Sequence, residues 1–202
     1  MANWTVTLKS LRKAGACIGG YNKLVCHISG KSFNPERETY MRFKHDEPIS
    51  IKTILESNGL EDALWATRCV AGADRDLRLF AVWHARQVQH LMADARSIAA
   101  IDVAERYANG EATGKELAAA GAAAWDAAWA ARAAGAAARD AAWAARNAAV
   151  AAAWDAARDA SWAAAWAAAL AAAGDADRAA RAAQHEMFVR MLDGTAPWQA
   201  KD

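Results

Sequence analysis

The chain is poor in the residues that usually announce a chemistry. It holds three cysteines in 202 residues, and Cys17, Cys26 and Cys69 show no CxxC spacing. A disulfide scaffold or a zinc module needs paired spacings, so reduced thiols of a cytoplasmic protein are expected instead. Three prolines are too few for a linker-rich, disordered chain. A net charge of +1 supplies no concentrated basic field, which argues against nucleic acid as a partner. Residues 1–59 are mildly basic, with nine Lys/Arg against five Asp/Glu, and the remainder carries fifteen against eighteen. Long apolar runs are also missing. "MANWTVTLKSLRKAG" has no signal-peptide core. The uncharged run "ASWAAAWAAALAAAG", residues 160–174, is shorter than the ~20 residues that span a bilayer. No membrane association is expected.

Catalytic signatures are equally scarce. His45, Asp46 and Glu47 are adjacent, so they point in different directions and read as a solvated turn. Cys26 and His27 do not form a nucleophile pair by adjacency alone, and a buried structural cysteine is the better reading. His84 and His90 are six residues apart, on opposite sides of a helix, which spoils a shared metal. "HEMFV" lacks the second histidine of a zinc-protease helix. There is no phosphate loop, GxSxG or GxGxxG. The expectation is a protein that is not an enzyme, with no catalytic residues, cofactor or metal.

What the chain does have is alanine and tryptophan. From Leu117 to Ala183, 41 of 67 residues are alanine, and the sequence holds ten tryptophans. Branched aliphatics are scarce after residue 105, so burial there rests on close backbone approach and on tryptophan. One straight helix over this tract would run for ~100 Å, so it must fold back. Gly174-Asp175 is the best break and Gly135 a weaker one. "GAAAWDAAWAAR" from Gly121 recurs as "GAAARDAAWAAR" from Gly135, with a looser third copy from Val150.

Upstream the pattern is amphipathic. "TLKSLRKAGACIGG" puts Leu8, Leu11, Ala14 and Ile18 on one helical face, stopped by Gly19-Gly20. "YNKLVCHISG" fits a short helix or a strand. Residues 31–48 read as an exposed connection with Phe33, Tyr40 and Phe43 as anchors. Ser50 caps "IKTILESNG", and Asn58-Gly59 ends it. Leu60, Ala63, Leu64 and Thr67 form a stripe. Leu77, Phe80, Ala81, His84, Val88 and Leu91 line the next helix, and Ile98, Ile101, Ala104 and Tyr107 the one after, closed by Asn109-Gly110. Thr113 and Glu116 make a capping box. A last helix buries Met187, Phe188 and Leu192 and closes at Gly194.

Between 125 and 158, nearly every side chain larger than alanine falls on one face of a 3.6-residue helix, and the opposite face is alanine alone. The bare face, with Ala137, Ala141, Ala148 and Ala152, reads as a packing seam. On the mixed face Trp129 is near Arg132, Arg139 near Trp143, Trp143 near Arg146, and Trp154 near Arg158, spacings that permit cation–π stacking. One reading makes this face semi-buried core, with Trp143 and Trp154 inside. The other makes it a protein-binding surface, since tryptophan and arginine are enriched at binding hot spots. Its candidate residues are Trp125, Trp129, Arg132, Arg139, Arg146 and Arg158.

The order "LRKAGACIGG", "DALWATR", "LRLFAVWHARQVQHLM", "RSIAAIDVAERYANGEAT", an Ala/aromatic/Arg/Asp tract and then "AQHEMFVRML" is similar to alanine-rich immunity proteins of bacterial polymorphic toxin systems, which also occur in phages. The similarity covers most of the chain, and residues 30–58 are peculiar to this sequence. The resemblance implies an all-α protein that binds and neutralises a partner protein, and it brings no catalytic residues.

The combined expectation is an all-α fold, a compact array of antiparallel helices with an Ala/Trp-rich helical C-terminal half. It is read as a single helical domain over 1–202: a less regular part at 1–59, amphipathic helices at 60–113, Ala/Trp-rich helices at 114–193 and a tail at 194–202. The expected function is that of a cytoplasmic inhibitor, of the immunity or phage anti-defence type, that occludes a toxin or a host-defence component. The rival is an assembly protein forming homo-oligomers through alanine seams. Single-strand nucleic-acid binding by tryptophan stacking is a third option, one that the charge disfavours.

Overall fold

Helices dominate the computed structural model, which describes residues 4–92, 94–130 and 175–199, the side chains of 128–130, 175–178 and 180 apart. Among these residues the fold is all-α, and the only strands are a two-residue antiparallel ladder. The chain divides into two compact units, Met1–Ala73 and Asp74–Asp202.

In the first unit, β1 (Thr5–Val6) pairs with β2 (Ile49–Ser50), setting Thr5 opposite Ser50 and Val6 opposite Ile49. Helix α1 (Leu8–Lys13) opens on a capping box, with the Ser10 N–H on Thr7 Oγ1 and the Thr7 N–H on Ser10 Oγ, both at 3.0 Å. The helix expected to run on to Gly19-Gly20 ends earlier. Gly15 takes φ +86°, a left-handed angle that breaks the helix, and Cys17 then caps a second one, α2 (Ile18–Ser29). The glycine pair therefore lies in the first turn of α2, where the otherwise unpartnered Gly20 N–H is taken by Cys17 Sγ at 3.2 Å. Ala14 is exposed and Ile18 only half-buried. "YNKLVCHIS" is helix.

Ser50 caps α3 (Ile51–Asn58) as expected, accepting from the Thr53 N–H at 3.0 Å. Gly59 (φ +99°) ends α3 and also caps α4 (Leu60–Ala66), so the two helices share one turning residue. Thr67–Cys69 adds a 3-10 turn. Leu8, Leu24, Val25, Ile51, Ile54 and Leu64 form the core.

The connection from α2 to β2 is irregular but pinned. Phe33, expected as an anchor, is 38% exposed. Tyr40 does the anchoring: its hydroxyl donates to Ala16 O at 2.6 Å, its ring meets Tyr21 edge-on at 5.3 Å, and the Arg12 guanidinium lies 3.9 Å from its centroid. Buried Asn22 holds the flanking backbone, donating to Thr39 O at 2.9 Å and accepting from the Met41 N–H at 2.7 Å. Phe43 is half-buried and stacks on His45.

In the second unit, α5 (Asp74–Gln87) buries Leu77, Phe80, Ala81 and His84 at helical spacing. The helix stops at Gln87, and Val88 (φ −110°, ψ 6°) leaves helical angles before the 3-10 turn Gln89–Leu91. Leu91, expected to face inward, is 40% exposed, and Met92 is buried instead. Helix α6 (Ala95–Ala108) packs on α7 (Gly114–Ala130). The capping box of α7 forms as expected: the Glu116 N–H donates to Thr113 Oγ1 at 3.2 Å, and the Thr113 N–H to Glu116 Oε2 at 2.7 Å. Ala100 and Ala104 of α6 and Ala124 of α7 are fully buried in one cluster with Ile101 and Leu117. The seam expected at Ala137, Ala141, Ala148 and Ala152, the repeat copies after residue 130, and Gly135 and Gly174 lie outside the described residues.

Helix α8 (Asp175–Leu192) buries Met187, Phe188 and Leu192 as expected, and Met191 as well. The chain beyond it docks through a 3-10 turn, Pro197–Gln199. Trp198 Nε1 and Gln199 Nε2 donate to the two oxygens of Asp76 at 3.1 and 2.8 Å, and Arg75 donates to Trp198 O at 3.1 Å.

Candidate functional site

Helices α1 to α4 line an open-mouthed cavity of about 230 Å³ in the first unit. Leu11, Tyr21, Leu24, Ile54, Trp65 and Ala66 give it mostly apolar walls. Drug-sized ligands fill roughly 300–1,000 Å³, so this cavity suits one side chain or a very small molecule. Side-chain caps open three of the four helices that carry its walls, α1, α2 and α3.

Three polar groups line it: the Cys17 thiol, the Asn58 amide and the Asp62 carboxylate. Asn58 Nδ2 donates to Gly20 O at 2.8 Å and to Asp62 Oδ2 at 2.7 Å, and its oxygen accepts from Ser57 Oγ at 2.7 Å. The amide is thus fixed from both ends and orients one carboxylate oxygen. Among the described residues Asn58 is the one hydrogen-bond partner of Asp62. Gly20 is what lets the carboxylate approach α2, because a Cβ there would stand 2.9 Å from Asp62 Oδ2 and 3.2 Å from Cys17 Sγ. The Cys17 sulfur accepts the Gly20 N–H at 3.2 Å, so it works as a helix cap.

An oriented carboxylate in an apolar recess holds a hydrogen-bond donor, and holds a charged donor best. Two guanidiniums lie on the cavity's aromatic rings, each engaged by a further group. Arg68 sits 4.4 Å from the Trp65 centroid and donates Nε to Trp65 O at 2.9 Å. Arg12 lies 5.6 Å from Tyr21 and closer to Tyr40.

The residues expected from the sequence to bind a partner fall elsewhere. Trp125 is half-buried on α7, beside fully buried Ala124. The Trp129 side chain and Arg132, Arg139, Arg146 and Arg158 lie outside the described residues, as do Trp143 and Trp154. Cys26 is buried, which fits a structural cysteine, and all three cysteines are free. His84 is the buried histidine among the described residues. It is 2% exposed, and its Nε2 has no hydrogen-bond partner. The Phe80 and Trp83 rings meet it edge-on at 4.4 and 4.9 Å, and burial pushes its pKa from 6.5 to about 3. It belongs to the core rather than to a site.

Sequence reasoning read Asn58 only as a helix terminator and passed over Asp62. The available signal was their spacing across Gly59, which sets both on neighbouring turns, together with a glycine pair that serves close approach rather than termination.

No protein-family model, no curated protein and no solved structure matches this chain.

Proposed function

We propose that the protein is a non-enzymatic binding inhibitor, of the immunity or phage anti-defence type, that occludes a partner protein in the cytoplasm. The partner would be a toxin or a host-defence component. The observation that carries this reading is the cavity of about 230 Å³ on a capped helical frame, with apolar walls and one oriented carboxylate. Binding energy in protein interfaces concentrates in a few side chains that fill such recesses. The resemblance to immunity proteins read from the sequence segments is part of the same proposal. Trp125, Trp129, Arg132, Arg139, Arg146 and Arg158 are assigned to a second contact region.

The test begins with capture of the partner from the host and its identification by mass spectrometry. The partner's own activity is then assayed with purified protein added. Loss of that activity at about one equivalent is expected. Activity that persists in excess protein, or inhibition that needs a covalent change made by this chain, would overturn the proposal.

A further inference from the structure

The cavity between α1, α2, α3 and α4 is more particular than a hydrophobic hole. Its walls are aliphatic and aromatic, from Leu11, Leu24, Ile54 and Trp65, and with the Asn58 amide already engaged by Ser57, Gly20 and Asp62, the charged acceptor among its polar groups is the Asp62 carboxylate. The positioning of that carboxylate uses three other groups: Ser57 holds Asn58, Asn58 holds Asp62 Oδ2, and Gly20 leaves room for it. An apolar recess with an oriented acceptor among its lining groups suits an alkyl stem with a donor head, and a negative acceptor favours a positive head.

We infer that this cavity receives a basic side chain, the arginine or lysine of a partner protein, with its stem against Leu24, Ile54 and Trp65 and its head on Asp62. The source of that side chain rests on the partner-binding reading above; the preference of the cavity for a cation does not. The walls, which include the Trp65 and Tyr21 rings, supply contact along the methylenes. Arg68 and Arg12 already lie on those rings, so the carboxylate is the group that must overcome their repulsion.

The inference is tested with small probes on the whole protein. n-Butylguanidinium, n-butanol and butyrate are titrated separately by isothermal calorimetry, with the Gly20 and Asp62 amide resonances followed by NMR. The guanidinium is expected to bind at least tenfold more tightly than the alcohol of the same stem and to move both resonances. Asp62→Asn keeps shape and removes the charge, and should abolish that preference. Gly20→Ala, whose methyl would displace the carboxylate while favouring helix, should weaken guanidinium binding while thermal unfolding stays cooperative. Equal binding of guanidinium and alcohol, tighter binding of butyrate, or a preference that survives in Asp62→Asn each overturns the inference. So does the absence of any response to the guanidinium up to about 50 mM, an affinity too weak to matter. Failure of the partner-binding reading shows instead in the inhibition assay and leaves these titrations unchanged.

Discussion

The indole N–H of Trp198 donates to the Asp76 carboxylate at 3.1 Å, joining residues 122 positions apart. Gln199 takes the other oxygen at 2.8 Å. Hydrogen bonds to a charged group are worth ~1.5–3 kcal/mol when partly shielded, and the Asp76 side chain is 18% exposed. Asp76→Ala is therefore expected to release the last turn at a cost of about 1–3 kcal/mol. Faster hydrogen exchange at the Gln199 amide, which bonds to Ala196 O in the native turn, reports it. Unchanged exchange would mean that packing alone holds the turn.

His84 makes stability depend on pH. Its folded pKa is about 3 and its unfolded value 6.5. Below pH 6.5 the unfolded chain binds a proton that the folded chain refuses. Stability is thus fully present above pH 6.5 and falls by ~1.4 kcal/mol for each pH unit down toward 3. Urea unfolding at pH 7 and pH 5 should differ by roughly 2 kcal/mol from this residue. His84→Leu, which fills the site without a titrating group, should flatten that part of the profile; a profile identical to that of the native protein would refute the assignment.

The α6–α7 contact depends on small side chains. Ala100 and Ala104 are both 0% exposed, so a leucine at either position overpacks the cluster, and replacements of this kind cost ~1–3 kcal/mol. Ala99, one residue away and exposed, is the control, where leucine should be nearly neutral. Melting temperatures of the three variants decide the matter, and equal values would remove the seam.

Asn22 should control the order of residues 39–41. Truncation to alanine leaves Thr39 O and the Met41 N–H without their partner, at a cost of about 1–3 kcal/mol if water does not replace it. Protease cleavage between Arg37 and Arg42 is expected to accelerate in Asn22→Ala while α2 persists by circular dichroism. Cleavage at the native rate would show that Tyr40 suffices.

The legible parts of the sequence were those in which one local rule governs. Thr113 and Glu116 form a capping box because three residues separate them, and Ser50 caps α3 for the same kind of reason. Leu77, Phe80, Ala81 and His84 are buried because a 3.6-residue period leaves them no other face. The errors came where a neighbour decided. Gly15 rather than Gly19-Gly20 stops α1, since only the φ it adopts distinguishes it. Leu91 turns outward because α5 ends at Gln87 and the Val88 backbone leaves helical angles before it, so the 3.6-residue period no longer applies. Asn22 looks like an ordinary polar helix residue until the connection it pins is laid beside it. The cavity was least legible of all, because Leu11, Tyr21, Ile54 and Asp62 come from four helices and no spacing in the sequence unites them.

The Asp76 clasp also has a meaning in time. Phe80 rests against Phe188 and Asp76 waits for Trp198, so the first helix of the second unit meets its final partners only after 122 further positions have been made. At ~5–20 residues per second of synthesis, that delay is roughly 6–25 s. The first unit has no such wait, since its core is complete once α4 has emerged. During the interval α6 already packs on α5, and only the part of α5 that takes Phe188 and Trp198 waits uncovered, so the delay exposes one edge of the second unit rather than its whole core.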